Sequence, residues 1–120
     1  AVKGNRGKMP EITANVSFDT IAREWRCKWS ADADKASLTA AQDALASILV
    51  EVKAVKGVKS VQRVVCGGCL DFKVVTSLDA ESFGAWEGAK FAPEETFLEK
   101  IKAIPGVTAV ETQTYTLMQM

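Results

Sequence analysis

From residue 23 to residue 29 the chain alternates. Trp25, Cys27 and Trp29 fall on one side, Glu24, Arg26 and Lys28 on the other. Side chains of an extended strand point alternately to its two faces, so this stretch predicts a half-buried strand. The period then changes. Leu38, Ala41, Leu45, Ile48, Leu49 and Val52 recur at helical spacing and predict an amphipathic helix over residues 37–56. Residues 58–65 read as a strand, and in 70–77 Leu70, Phe72 and Val74 alternate against Asp71 and Lys73. The Gly-Gly centre of Cys66-Gly67-Gly68-Cys69 makes a hairpin of the two. A short helix over 80–87, a loop through Phe91 and a helix over 93–104 follow. Pro93 in its first turn, with Glu94 and Glu95 behind it, suits a helix start. Residues 108–118 give the last strand, and 11–18 a weaker additional one.

An internal repeat organises these elements. Residues 52–62, VKAVKGVKSVQ, and residues 101–111, IKAIPGVTAVE, align without a gap. Lys53/Lys102, Ala54/Ala103, Gly57/Gly106, Val58/Val107 and Val61/Val110 are identical. Each copy is a helix end, a glycine stop and a strand start, with the glycine where a helix needs a residue at positive φ. The order β-α-β-β-α-β, repeated in two halves, predicts a ferredoxin-like α+β sandwich. Its antiparallel sheet carries two helices on one face. The other face must be wet, bound to a partner or paired in a dimer. Residues 1–10, AVKGNRGKMP, are basic and without apolar period, and read as a flexible arm ahead of one domain over 11–120. The chain opens on Ala1-Val2 rather than Met; a removed targeting peptide or a tag ahead of Met9 would each explain that.

Composition narrows the chemistry. In 120 residues, 15 basic side chains balance 15 acidic ones, whereas a general nucleic-acid binder carries a basic excess. No apolar run reaches the ~20 residues of a membrane-spanning helix. The sequence has 3 Cys and no His. The odd Cys number argues against a secreted disulfide framework and fits a soluble protein of a reducing compartment, plastid stroma or otherwise cytoplasm. Without His, neither Ser-His nor Cys-His catalysis is open to the chain. These considerations lead to the expectation of a protein that is not an enzyme, with no catalytic residue, cofactor or metal ligand.

Over residues 58–117 the chain resembles the effector-binding domain of the Lrp/AsnC regulators, within the dimeric α/β-barrel group. The resemblance rests on VQRVV, GGCLDFKVV, LDAESFGAWE and IPGVTAVETQTYTL, with Gly68 and Asp71 matching a Gly-x-x-Asp hairpin and Pro105, Gly106 and Val107 a closing Pro-Gly-Val. It implies a homodimeric small-molecule effector-binding module. The chain departs from that family in having no helix-turn-helix domain and in inserting GAKFAPEE at 88–95. The stretches EWRCKWSAD and VVCGGCLDFKVV are similar to a plastid-targeted algal family that includes peripheral photosystem I subunits. That similarity implies an accessory subunit docking on a larger photosynthetic complex.

Two surfaces are therefore candidates for protein binding. One is the open sheet face, with Arg26, Lys28, Lys73 and Tyr115 beside Glu111 and Gln113. The other is Phe83, Trp86 and Phe91 around the loop of 84–92, which reads equally as a loop packed on the helix layer or as an aromatic contact patch, since Trp and Phe are favoured interface anchors. The carboxylates Asp79, Glu81, Glu94, Glu95 and Glu99 read as solvated helix surface. Cys66 and Cys69 read as a tight hairpin, with a redox pair or a metal site shared between two chains as the functional alternatives.

Overall fold

The computed structural model describes residues 9–120, so the expected arm at residues 1–10 lies outside the described residues but for Met9 and Pro10. In chain order the elements are β1 (Glu11–Thr13), β2 (Val16–Ser17), β3 (Thr20–Lys28), α1 (Asp32–Lys53), β4 (Val58–Val65), β5 (Asp71–Asp79), α2 (Ala80–Gly88), α3 (Glu94–Lys102) and β6 (Thr108–Leu117). β4-β5-β3-β6 form one antiparallel sheet in that spatial order, the ferredoxin-like arrangement, with the helices on one face. The weak N-terminal strand is instead a separate two-stranded hairpin, β1-β2, which packs on none of the other elements.

The alternation in β3 does what its pattern requires. Trp25, Cys27 and Trp29 enter the core on the helix side, beside Phe72, Val74 and Leu78 of β5. α1 contributes Ala41, Ala44, Leu45, Ile48 and Val52 to the same core. Its regular helix starts late, close to the sequence-based start at residue 37. Ala33, Asp34 and Lys35 have φ of 53°, 56° and 63°, a left-handed turn ahead of the helix proper. Ser37 anchors that turn, its Oγ accepting the Ser30 N–H at 2.8 Å and donating to the Ser30 carbonyl at 3.2 Å.

The repeat is structural. Gly57 and Gly106 both sit at positive φ, 89° and 92°, and in both copies the residue after the glycine donates to the carbonyl three positions earlier: Val58 to Val55 and Val107 to Ile104. At Gly57 a side chain is excluded twice over, since a Cβ there would collide with Ser82.

Trp25 is the hub of an aromatic cluster. It stacks on Phe97 with ring centroids 5.1 Å apart and meets Trp86 at 6.4 Å. Trp86 in turn sets its edge against Phe83 and Phe91 at 5.9 and 5.2 Å. This corrects the expected aromatic contact patch: Phe83, Trp86 and Phe91 are buried. The left-handed conformations of Lys90 and Phe91 fold the inserted 88–95 segment back, so Phe91 turns inward and its N–H reaches the Trp86 carbonyl at 2.9 Å.

Two substitutions test this core by urea unfolding. Trp25→Ala is expected to lose about 3–5 kcal/mol, the usual loss for a large buried aromatic. Gly57→Ala should lose more than ~1 kcal/mol, because its positive φ and the Ser82 side chain both oppose a methyl group. Gly67→Ala, where an added methyl meets nothing, should stay within about 0.5 kcal/mol.

Candidate functional site

The face of the sheet away from the helices carries Glu24, Arg26 and Lys28 of β3, Asp71, Lys73 and Val75 of β5, and Glu111, Gln113 and Tyr115 of β6, placed together by register. Arg26 lies between Lys73 and Glu111, its partners on the two neighbouring strands. Antiparallel partners share a face, so β3 and β6 bring residues far apart in sequence into contact.

These side chains form one connected polar chain. Tyr115 donates its hydroxyl to Glu24 Oε1 at 2.9 Å, and Arg26 Nη1 reaches Glu24 Oε2 at 3.3 Å. Arg26 Nη2 lies 3.8 Å from Asp71 Oδ1, and Lys28 Nζ pairs with the same oxygen at 2.7 Å. Lys28 also donates to the Cys69 carbonyl at 2.8 Å. The network therefore runs from Tyr115 to the tip of the β4-β5 hairpin. There Cys66 and Cys69 are joined by a disulfide.

Burial and charge tune two of these groups. The hydrogen bond from Lys28 holds the Asp71 carboxyl below the ordinary carboxylate range, against its desolvation, with the charges of Lys28, Arg26 and Lys73 adding to the effect. Burial, then the hydrogen bond and charge of Glu24, push the Tyr115 hydroxyl up to about 12. Glu24 is 5% exposed although no element of the described residues covers this face.

On the opposite face another charged cluster is structural. Arg23 directs Nε and Nη2 to the two carboxylate oxygens of Glu94 at 2.8 and 3.0 Å, and Trp25 Nε1 donates to Glu94 at 2.7 Å. The Arg23 guanidinium lies 4.0 Å from the Phe91 ring centre. This corrects the reading of Glu94 as solvated helix surface. A cleft of about 330 Å³ opens between α1 and the β4 edge, where Arg63 is tied to Gln42 at 2.7 Å. Among the described residues no three His, Cys, Asp or Glu side chains gather as a metal site, and no helix is long and apolar enough to cross a membrane.

Of the expected open-face residues, Arg26, Lys28, Lys73 and Tyr115 share that face. Phe83, Trp86 and Phe91 do not join them. Sequence reasoning passed over Glu24 and Asp71 as site residues. The alternation placed Glu24 beside Arg26, but which residue covers it depends on β6 lying next to β3.

No family model and no curated protein matches the chain. Solved structures do. A candidate antibiotic biosynthesis monooxygenase from Deinococcus radiodurans superposes with a TM-score of 0.63 at 14% identity over 83% of this chain and 94% of its own. Rv0793 from Mycobacterium tuberculosis gives 0.58 at 13% identity over 84% and 97%. SnoaB from Streptomyces nogalater, a cofactor-independent oxygenase, gives 0.56 at 13% over 85% and 96%. The fold is thus ferredoxin-like, related to the Lrp/AsnC type. The neighbours overturn two expectations. Those that carry a functional name are a candidate antibiotic biosynthesis monooxygenase and a cofactor-independent oxygenase, and none is a subunit of a photosynthetic complex, so the accessory subunit of an algal photosystem I in a plastid stroma has no support. The expectation that the chain is not an enzyme is contradicted by the same proteins. The alternative, a small-molecule module, fits them better.

Tyr115 is the only tyrosine of the chain, so an ultraviolet titration reads it alone. Its midpoint should fall near 12 rather than at the ordinary 10.0. Glu24→Gln should lower it only in part, because burial is the larger cause. Since the folded-state value is raised, the neutral phenol favours the fold below pH 10.0, and this contribution should disappear as the pH climbs to about 12.

Proposed function

We propose that two copies of this chain close their open sheet faces on each other and enclose a small hydroxylated organic molecule, with Glu24, Arg26 and Tyr115 as its polar contacts. The observation that carries this reading is Glu24. An alternating strand could place an apolar side chain there. Instead a carboxylate 5% exposed is held in the middle of an uncovered face, capped by a phenol. Withdrawing a carboxylate from water is costly unless it is paired, and its partners here, Arg26 and Tyr115, stand on the same uncovered face. Around it Val64 and Leu117 are exposed on the same face, and Ile12 and Val16 are exposed on the unpacked β1-β2 hairpin. A second copy accounts for both.

The neighbours supply the direction of the chemistry. A cofactor-independent oxygenation needs a substrate that can itself pass an electron to dioxygen, which a phenol or enol does once deprotonated. In this reading Glu24 takes that proton, Arg26 steadies the anion and Tyr115 orients the carboxylate. The resemblance to oxygenases under 15% identical shows a shared fold, and the chemistry stands on Glu24.

Sedimentation equilibrium at micromolar concentration is expected to give a dimer, and Val64→Glu with Leu117→Glu a folded monomer. Oxygen uptake with a panel of polycyclic phenols and enolisable ketones should be found in the parent protein. Glu24→Gln, which keeps the hydrogen-bonding shape, should lose at least ~10²-fold of it, the lower end for loss of a general base. A monomeric parent protein, or uptake unaffected by Glu24→Gln, would remove the reading.

A further inference from the structure

The hairpin Cys66-Gly67-Gly68-Cys69 lies at the far end of the polar network from Glu24, and its surroundings point to chemistry of its own. We infer that it is a reversible thiol–disulfide exchange site for a small or protein-borne dithiol, with Cys69 as the sulfur attacked and Cys66 as the one that leaves.

Three observations support the assignment. First, the bridge is reachable: Cys69 is exposed at the hairpin tip and Cys66 half-buried, and glycines 67 and 68 carry no side chain over them. Second, the two sulfurs are not equivalent. The Cys69 N–H points at Cys66 Sγ, 3.0 Å away, and stabilises negative charge there. Cys69 Sγ instead lies 3.5 Å from Asp71 Oδ2, which disfavours charge on it. The better leaving group is the sulfur whose thiolate is better stabilised, so exchange is directed to Cys69. Lys28, on the other oxygen of Asp71 and on the Cys69 carbonyl, offsets the carboxylate's repulsion of an incoming thiolate. Third, the bridge is a poor structural staple. It closes the chain over a separation of 3 residues, so it removes little freedom from the unfolded chain. The hairpin already has its own closure, Cys66 N–H to the Asp71 carbonyl at 3.0 Å.

The exchange balances as follows. One thiolate of the dithiol attacks Cys69 Sγ; the bond to Cys66 breaks and its electron pair leaves on Cys66. The second thiolate attacks the dithiol's own sulfur in the mixed disulfide and releases Cys69 as a thiolate. The protein gains two electrons and two protons, and the dithiol becomes a disulfide.

Cys27 serves as an internal control. It is buried under the helices, and desolvation, with the charge of Asp71, pushes its thiol up to about 11. The test equilibrates the folded protein with reduced and oxidised dithiothreitol, quenches with iodoacetamide and counts adducts by intact mass. Two adducts should appear together, at Cys66 and Cys69 and not at Cys27, and should not form when the protein is reoxidised with excess oxidised dithiothreitol before the quench. In the reduced protein Asp71→Asn should speed alkylation of Cys69 several-fold over that of Cys66, the asymmetry that the Asp71 carboxylate imposes. Cys66→Ser with Cys69→Ser should melt as the parent does. Labelling that reaches Cys66 and Cys69 only together with Cys27, a reduced pair that oxidised dithiothreitol fails to close, or a double variant that does not fold would each overturn the assignment.

Discussion

Glu94 opens α3, and both of its carboxylate oxygens are taken: Arg23 holds the pair of them and Trp25 Nε1 adds a third donor. Arg23 and Trp25 stand two positions apart on β3 and so on the same face of the strand. One carboxylate thereby ties the start of a helix to the middle of a central strand. The aromatic cluster depends on it. Trp25 can be 1% exposed only if its indole N–H has a partner, since a buried donor left without one costs about 1–3 kcal/mol. With Trp25 in place, Phe97 stacks on one side and Trp86 closes the other. The inserted 88–95 segment also becomes intelligible, because it delivers Phe91 onto the Arg23 guanidinium and Glu94 onto its donors.

That clamp commits one face of the sheet to packing and leaves the other open. On the packed side the charges cancel within a single compact cluster. On the open side they spread into a line from Tyr115 through Glu24, Arg26 and Asp71 to Lys28. The line is graded. The Tyr115 end is shielded, and burial keeps the phenol neutral well into alkaline solution. The Asp71 end is flanked by cations, which keep the carboxylate ionised, and runs on to the exposed Cys69. The proposed ligand site lies at the shielded end, where electrostatic interactions are least screened, and the proposed exchange site at the exposed hairpin tip.

The positions of the aromatic side chains and the likeness of the fold both weigh against docking on a large complex. One of the two candidate surfaces for docking was Phe83, Trp86 and Phe91, and all three are core. What remains for recognition is a polar sheet face and the cleft beside α1. Proteins sharing the architecture, from Deinococcus radiodurans and Streptomyces nogalater, are assigned to oxygenation.

Local pattern alone determined the elements of the main sheet and its helices, and their order. The alternation over 23–29, the helical stripe from Leu38 to Val52 and the glycine joints at Gly57 and Gly106 each involve neighbours in sequence, and backbone geometry translates such patterns directly into strand, helix and turn. The repeat even disclosed the two-fold character of the fold. The alternation also assigned Trp25 and Cys27 to one face and Arg26 and Lys28 to the other. What local pattern left open was every contact between elements. Glu94 looked like helix surface because its partner Arg23 is 71 residues away, and Glu24 looked like one charge among several because Tyr115 is 91 residues away. The aromatic loop could be read as packed or as exposed because left-handed backbone at Lys90 and Phe91, two non-glycine residues, carries no sequence mark. Whether a charged side chain is solvated, clamped or poised depends on what the folded chain lays over it, and only the packing of distant strands and helices decides that.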